Sequence, residues 1–292
     1  MKCTVVIPIF KIHPTEEEKK SFIQCLKILH KHHVTLVCPE KFDEACYLLI
    51  AKEQNIVIGI ERFMNIYFSD ITGYNRLMLS VEFYKRFKKF KYILIYQLDA
   101  WVFRDELHYW CEKEYDYIGA PWFEDFDNST SKSRIIGVGN GGFSLRNVSG
   151  ILNQIKILKQ LQVILKYEKY NWEGLILRMF KIIRDVTLYS KFEPFYKLTN
   201  GQEDYFWCVD MKNVYSEYIN NKSFVAKLFK LFPIKNLKIA DVETAIKFSM
   251  ECQPARLFEM NNNNLPFGCH AWYKYNYEFW KPFIVRAGYE LP

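Results

Sequence analysis

The first hundred residues alternate short apolar runs with longer amphipathic stretches. Thr4–Phe10 (TVVIPIF) is apolar and rich in β-branched residues, as a strand buried on both faces must be, and Pro8 marks its exit. Pro14-Thr15-Glu16-Glu17-Glu18 then reads as a helix start. Thr15 is the N-cap, Glu18 completes a capping box, and the acidic first turn complements the helix dipole. That helix runs to about His32, with Phe22, Leu26 and Leu29 on one face. Val34–Cys38 is a second strand, residues 42–53 a second helix and Asn55–Ile60 (NIVIGI) a third strand. A helix over residues 72–89 turns Leu77, Val81 and Tyr84 or Phe87 inward, and Tyr92–Tyr96 is a fourth strand. Strand and helix in this alternation predict a parallel sheet with crossover helices.

The pattern is less regular beyond residue 97. A polar loop, residues 124–134, fits either a mobile lid or an exposed connection. Phe143–Arg146 reads as a short strand after three closely spaced glycines, and residues 148–165 read as a helix. Residues 161–192 are basic and apolar, which suits either an anionic membrane surface or helices packing with snorkelling Lys and Arg side chains. A short strand is expected at Lys238–Ala240, with a further element over Val242–Met250. The 292 residues fit a single domain.

Composition narrows the classes. Half of the residues are hydrophobic and 17% are aromatic, so a large core is available. The 40 Lys and Arg exceed the 33 Asp and Glu by 7, a mild excess that suits an anionic small molecule or membrane surface. It is too weak to indicate nucleic acid, and no recognition motif supports that class. Eight cysteines without a C-x-x-C pair read as reduced, mostly buried thiols, and a zinc site is not expected. No signal peptide or spanning apolar segment is visible, so a cytoplasmic protein is expected, with peripheral contact at the inner membrane face left open. The first strand lacks G-x-G-x-x-G, which argues against a dinucleotide fold, and there is no Walker loop.

Four polar features stand at element ends: Asp99 after the fourth strand, Gly139–Gly142, the pair Glu203-Asp204, and His270. Alone, each has an ordinary reading as turn former, turn geometry, helix cap or hydrogen-bonded structural residue. A carboxylate at the end of a buried strand nevertheless needs partners or a metal, and ligands of open α/β sheets bind at the carboxyl ends of strands.

Six motifs give these features a common context: TGYNRLMLS (72–80), YQLDAWVF (96–103), YDYIGAPW (115–122), GNGGFSLRN (139–147), QEDYFW (202–207) and FGCHAW (267–272). In this order they resemble glycosyltransferases of the GT-A type, and more closely an uncharacterised bacterial and fungal branch catalogued as a domain of unknown function. The resemblance implies an α/β, Rossmann-like, mostly parallel sheet flanked by helices, with a nucleotide-binding half at residues 1–122. The acceptor-side half would span 123–292, with a helical insertion at about 150–195. It implies transfer, with inversion, of a sugar from a nucleotide sugar, UDP-linked, to a glycan or lipid-linked acceptor in surface polysaccharide synthesis. Asp99 matches the second acid of the GT-A metal motif, whereas Gln97 stands at the first, so Mn²⁺ or Mg²⁺ on Asp99 and His270 and a metal-independent site both remain open. Pro8, Tyr74, Asn75, Arg76, Gln97, Asp99, Asn140, Gly141 and Gly142 would bind the donor. Asp204 would be the base, with Glu203 beside it on donor or acceptor hydroxyls. Without a metal, Arg76 or Lys274 would neutralise the leaving diphosphate. Trp101 and Trp122 are either stacking platforms or core aromatics. A metal-assisted nucleotidyl or phosphoryl transferase and a non-catalytic nucleotide- or glycan-binding module are the alternatives.

Overall fold

The computed structural model describes residues 2–168, 202–211, 216, 219–222 and 236–291. Its centre is a six-stranded sheet. Strands β1 (Cys3–Pro8), β2 (His33–Pro39), β3 (Gly59–Phe63) and β4 (Tyr92–Tyr96) are parallel. Strand β9 (Phe143–Asn147) is inserted between β4 and β6 (Tyr117–Ile118) and runs antiparallel to both. The strand order is β3-β2-β1-β4-β9-β6. The architecture is therefore mixed α/β with a mostly parallel central sheet flanked by helices.

Helices α1 (Glu16–Ile28), α2 (Ala45–Glu53) and α5 (Leu107–Glu112) cover one face of the sheet, where Phe22, Leu26, Tyr47, Ile50, Leu107 and Trp110 join Val5, Ile7 and Leu94 in one core. Helices α3 (Ile71–Met78), α4 (Val81–Arg86) and α6 (Val148–Glu168) cover the other, through Leu77, Phe83, Tyr84 and Ile151 against Val6, Ile93 and Ile95. The capping box of α1 is present: Thr15 Oγ1 accepts the Glu18 amide at 3.3 Å, and Glu18 Oε2 accepts that of Thr15 at 2.8 Å.

Two expected elements differ. The third strand lies at Gly59–Phe63 rather than Asn55–Ile60. Asn55 takes a positive φ of 58° to leave α2, and Val57 is 95% exposed, so the apolar run NIVIGI is a connection leading to an edge strand. The helix expected over 72–89 is two helices. Ser80 is extended and accepts the Phe83 amide at 3.0 Å, so it caps α4 rather than continuing α3.

A third hydrophobic cluster contains Trp101, Trp272, Trp280 and Ile284. It packs on a small sheet in which β11 (Gly268–Cys269) joins β10 (Ser249–Met250) to β5 (Trp101–Val102). Helices α8 (Val242–Phe248), α9 (Pro254–Met260) and α10 (Tyr277–Arg286) accompany it. A hairpin of β7 (Pro121–Phe123) and β8 (Ile135–Val138) encloses the polar loop. Gln253 and Arg256 side chains donate to the Ser129 and Ser133 carbonyls, so two points of this loop are tethered. A single turn of helix, α7 (Glu203–Tyr205), runs into a π-helical turn at Phe206–Asp210. Most of the basic stretch 161–192, and much of the helical insertion expected at 150–195, lie outside the described residues. Among the described residues no helix is long and apolar enough to cross a membrane.

Candidate active site

The carboxyl ends of β1 and β4 open onto a cleft of about 380 Å³. Pro8 ends β1 at its floor, Gln97-Leu98-Asp99 form its inner wall after β4, and Tyr74 of α3 reaches it from the side. The rim carries Phe10, Tyr47, Tyr67, Phe68 and Tyr273, with Lys11 paired to Glu18 at 2.7 Å. Aromatic walls with a few fixed polar groups suit a planar base or sugar ring. Of the other residues expected here, Asn75 is buried in α3 and Arg76 follows it; neither of these described residues lines the cleft.

At its inner end the cleft meets a polar cluster drawn from four remote segments. The Ala100 amide donates to the Gln97 carbonyl at 2.9 Å, making a tight turn that presents both Gln97 and Asp99. The Trp272 amide donates to the Asp99 carbonyl at 3.1 Å, which brings the end of β11, and with it His270, to that turn. His270 Nε2 lies 3.0 Å from both Gln97 Oε1 and Asp99 Oδ1, and Nδ1 lies 2.7 Å from Glu251 Oε1. The ring thus has oxygen at every polar position, which favours the imidazolium. Burial pulls the His270 pKa down, but the Asp99 and Glu251 charges and hydrogen bonds outweigh it and push the group up to about 10. Burial likewise pushes the Asp99 carboxyl up, but the His270 charge and hydrogen bond hold it below its ordinary value.

Protonation of His270 contributes to folding. Its folded pKa is raised, so the contribution is complete below the unfolded value near 6.5 and is lost as pH rises through about 10. We expect His270→Gln to be less stable than the parent by a few kcal/mol at pH 6, since each unit is worth about 1.4 kcal/mol. The deficit should shrink towards pH 10. Urea unfolding of both proteins across that range is the measurement, and a pH-independent deficit would contradict the assignment.

The glycine loop crosses this cluster. The Gln97 amide donates to the Gly142 carbonyl at 2.8 Å. A Cβ on Gly142 would lie 1.9 Å from His270 Nε2, so the imidazole stacks directly on the glycine and excludes any side chain there. One residue earlier, the Gly141 amide donates to Asp204 Oδ2 at 2.7 Å, while Asp204 Oδ1 accepts the Tyr205 amide at 2.8 Å. Asp204 is half-buried, and burial pushes its carboxyl above the ordinary value despite these two donors.

Glu203 also reaches Gly141: a Cβ there would lie 2.8 Å from Glu203 Oε1 and 3.2 Å from Asp204 Oδ2. Glu203 is 2% exposed and makes a two-pronged pair with Arg146 of β9, at 2.7 and 3.1 Å. The Arg146 guanidinium is itself fully buried and also donates to the Tyr84 hydroxyl, to Ser144 Oγ and to the Gly141 carbonyl. Burial pushes Glu203 up to about 7, because it outweighs the guanidinium and the Asp204 charge adds to it. Arg146 stays charged. The two acids therefore converge on Gly141: Asp204 accepts its amide, while Glu203 binds the guanidinium that donates to its carbonyl.

The structure thus brings Gln97, Asp99, Asn140, Gly141, Gly142, Asp204 and His270 into one cluster, with Glu203 beneath it. Trp101 is fully buried against Trp272 and Tyr289 and cannot stack on a ligand. Trp122 is 4% exposed and donates to the Gly139 carbonyl at 2.6 Å, so it supports the loop. Two further members went unrecognised in the sequence, Glu251 and Arg146. Glu251 follows the buried strand β10, the same strand-end carboxylate signal that singled out Asp99. Arg146 alternates with Phe143 and Leu145 along β9 and gives no sign of which charge it meets.

The donors fit a hard divalent cation in part. Among the described residues no three His, Cys, Asp or Glu side chains are arranged to hold a metal. What converges is one carboxylate oxygen, one amide oxygen and one imidazole nitrogen, with nitrogen–oxygen separations of 3.0 Å. Neighbouring ligands of an octahedral ion with bonds of about 2.1 Å are about 3.0 Å apart, and such ions commonly take a few protein ligands and complete their shell with water and substrate phosphate. Glu251 on Nδ1 is the partner that would aim Nε2 at a cation.

Residues 57–270 match the family model described as "Protein of unknown function (DUF5672)", and the chain belongs to that family. A search of curated proteins gave no match. Among solved structures, the apo-form glycosyltransferase GlyE of Streptococcus pneumoniae TIGR4 aligns with a TM-score of 0.45 and 13% identity, over 98% of this chain and 60% of that one. Core-mannan synthase A of Aspergillus fumigatus, in its Mn/GDP form, aligns with a TM-score of 0.40 and 8% identity, over 51% and 60%. A glycosyltransferase involved in glycosylation of the major capsid of PBCV-1 aligns at 0.38 and 10% identity, over 98% and 100%. This chain thus spans 60% of the length of the first two. None of the three reaches a TM-score of 0.5, and the strand order, not these likenesses, defines the architecture described above.

Proposed function

We propose that the protein is an inverting glycosyltransferase that moves a sugar from a nucleotide sugar, UDP-linked, to a hydroxyl of a glycan or glycolipid precursor. The observation that carries the reading is the glycine loop itself. One of its residues holds the half-buried Asp204 carboxylate and the next supports the Asp99–His270 pole at the end of an aromatic cleft. A base and an anion-neutralising pole therefore face one short stretch of side-chain-free backbone.

In the reaction, Asp204 accepts the proton of the acceptor hydroxyl as that oxygen bonds to the anomeric carbon. The bond from that carbon to the diphosphate breaks on the opposite face, and its electron pair leaves with the diphosphate. The raised Asp204 pKa makes it a stronger base than an ordinary carboxylate. His270 in its charged form presents positive charge to the leaving group. Where Asp99, Gln97 and His270 instead hold Mn²⁺ or Mg²⁺, the imidazole would be neutral and the cation would supply that positive charge beside the diphosphate. Half-buried Tyr205, Phe126 and Tyr275 form an aromatic row with Trp122, starting next to Asp204, and this supports a sugar acceptor. Contact with a membrane-linked acceptor through the basic stretch 161–192, and surface polysaccharide as the product, are parts of the same proposal.

A thermal-shift panel of nucleotide sugars, with and without Mn²⁺, tests it. A donor at 100 times its Kd should stabilise the protein by about 2.7 kcal/mol, or roughly 5 °C for a chain of this size. Transfer or slow hydrolysis should follow for that donor alone. Pyrophosphate release from a nucleoside triphosphate would instead indicate a nucleotidyl transferase. UDP binding with no turnover on any acceptor would indicate a binding module.

A further inference from the structure

Glu251 links the His270 ring to the glycine loop through side chains, beside the backbone bonds that tie both segments to the turn at residues 97–99. It lies at the end of β10, is 3% exposed, and receives two hydrogen bonds. One oxygen accepts from His270 Nδ1 at 2.7 Å, and the other accepts from the Asn140 carboxamide nitrogen in a short contact. Asn140 is itself buried, and its oxygen accepts the amides of Gly142 at 2.9 Å and Phe143 at 3.4 Å. The chain of contacts runs from the imidazole through Glu251 and Asn140 to the glycine loop, and the loop then returns beneath the same imidazole.

We propose that Glu251 is the positioning residue of this site, setting the His270 ring and the glycine loop in a single register through its two carboxylate oxygens. The inference deepens the reading above and rests on it for the consequence on transfer, but the geometry it describes exists whatever the reaction. Every atom in the chain has a defined sense. Glu251 must accept twice, because both neighbours donate to it, and Asn140 must donate from nitrogen so that its oxygen is left for the loop amides. Glutamine at 251 accepts only once. If its oxygen serves His270, its NH₂ faces the Asn140 NH₂; Asn140 then turns over and presents NH₂ to the amides of Gly142 and Phe143. If its oxygen serves Asn140, the imidazole loses its acceptor. One of the two parts must come loose.

The same logic specifies a repair. In the double variant Asn140→Asp/Glu251→Gln, the glutamine oxygen accepts from His270 Nδ1 and its NH₂ donates to one oxygen of the carboxylate introduced at position 140. The other oxygen of that carboxylate accepts the loop amides. All contacts return, with the negative charge moved by one side chain. Asn140→Asp alone sets two carboxylates against each other.

The test compares the parent, both single variants and the double variant. Amide exchange at Gly142 and Phe143 and the ¹⁵N imidazole spectrum of His270 report register without any substrate, and turnover of the preferred nucleotide sugar reports consequence. We expect Glu251→Gln to speed loop exchange at least tenfold or to shift the His270 resonances. It should lower kcat by roughly 10–100-fold, the usual range for a group that orients a functional histidine, with a smaller change in KM. The double variant should return exchange and spectrum to the parental pattern and recover most of kcat. A double variant no better than the single ones, in exchange or in spectrum, overturns the proposal. So does parental exchange with a parental His270 spectrum in Glu251→Gln. Should a single variant fail to fold, the double variant alone decides, since it is required to fold with a protected loop. If no nucleotide sugar turns over in any of the four proteins, the glycosyltransferase reading fails, while exchange and spectra still decide the role of Glu251.

Discussion

Asp204→Asn is expected to lower transfer by roughly 10²–10⁴-fold, the range usual for loss of a positioned general base, with nucleotide affinity nearly unchanged. The amide is isosteric, and its oxygen can still accept one of the two backbone N–H groups that Asp204 now receives from Gly141 and Tyr205. It cannot take a proton from an acceptor hydroxyl. Asp204 is not among the residues that line the cleft, so nucleotide-induced stabilisation should survive. Initial rates with saturating donor and the thermal shift on UDP separate the two effects. A variant that keeps full activity would remove Asp204 as the base. In the parent, kcat/KM should fall with acid as Asp204 protonates, and the limb should lie above the ordinary carboxylate range, because burial raises this group.

The second large effect is on stability. Arg146→Met should cost about 3–5 kcal/mol, the range for removing one partner of a buried ion pair, and lower the melting temperature by roughly 10 °C. The guanidinium is fully buried and is the ionic partner of a carboxylate that is only 2% exposed. Without it, Glu203 has desolvation and no counter-charge, and its pKa rises beyond the present value of about 7. The parent's Glu203 already carries the raised pKa of about 7, so the two proteins differ in pH dependence above it, and the deficit should grow as pH rises through about 7. Arg146→Met/Glu203→Leu should recover most of the loss, because the pair is replaced rather than broken. Urea unfolding of the parent and of the single and double variants at pH 5 and pH 9 measures both. A pH-independent deficit, or a double variant no more stable than the single one, would mean that ion pairing is not what holds this loop.

Elements that advertise themselves locally were legible. Residues 4–8 and Tyr92–Tyr96 lie in strands buried on both faces, although Phe10, read into the first of them, lies beyond β1 and is 62% exposed; the Thr15–Glu18 capping box needs only a four-residue window. Asn55–Ile60 misled because apolarity was taken for burial, whereas the chain there is leaving α2 with Val57 in solvent. The break between α3 and α4 was hidden because Ser80 fits a helical pattern as well as it fits a cap. In the site, Asp99 stood out because a carboxylate ending a buried strand is costly without partners. Glu251 gave a weaker form of that signal, since its strand is only two residues long. Arg146 is an ordinary charged residue in sequence, and only its contact with Glu203 makes it informative.

By itself, then, the sequence determined the alternation of strands and helices, the hydrophobic faces and the residue types available at strand ends. These depend on periodicity, capping and burial, which act over a few residues. Tertiary structure alone decided that Gln97 meets His270 across 173 positions. It also decided that Gly142 lies under the imidazole, and that Asp204 and Glu203 converge on Gly141, one on its amide and the other on the guanidinium that holds its carbonyl. Such pairings follow from crossovers and sheet order, which close loops too long for any local pattern to record. Their consequences, a histidine pKa and an aspartate pKa both raised above their ordinary values, come from desolvation and neighbouring charge that exist only once the chain is packed.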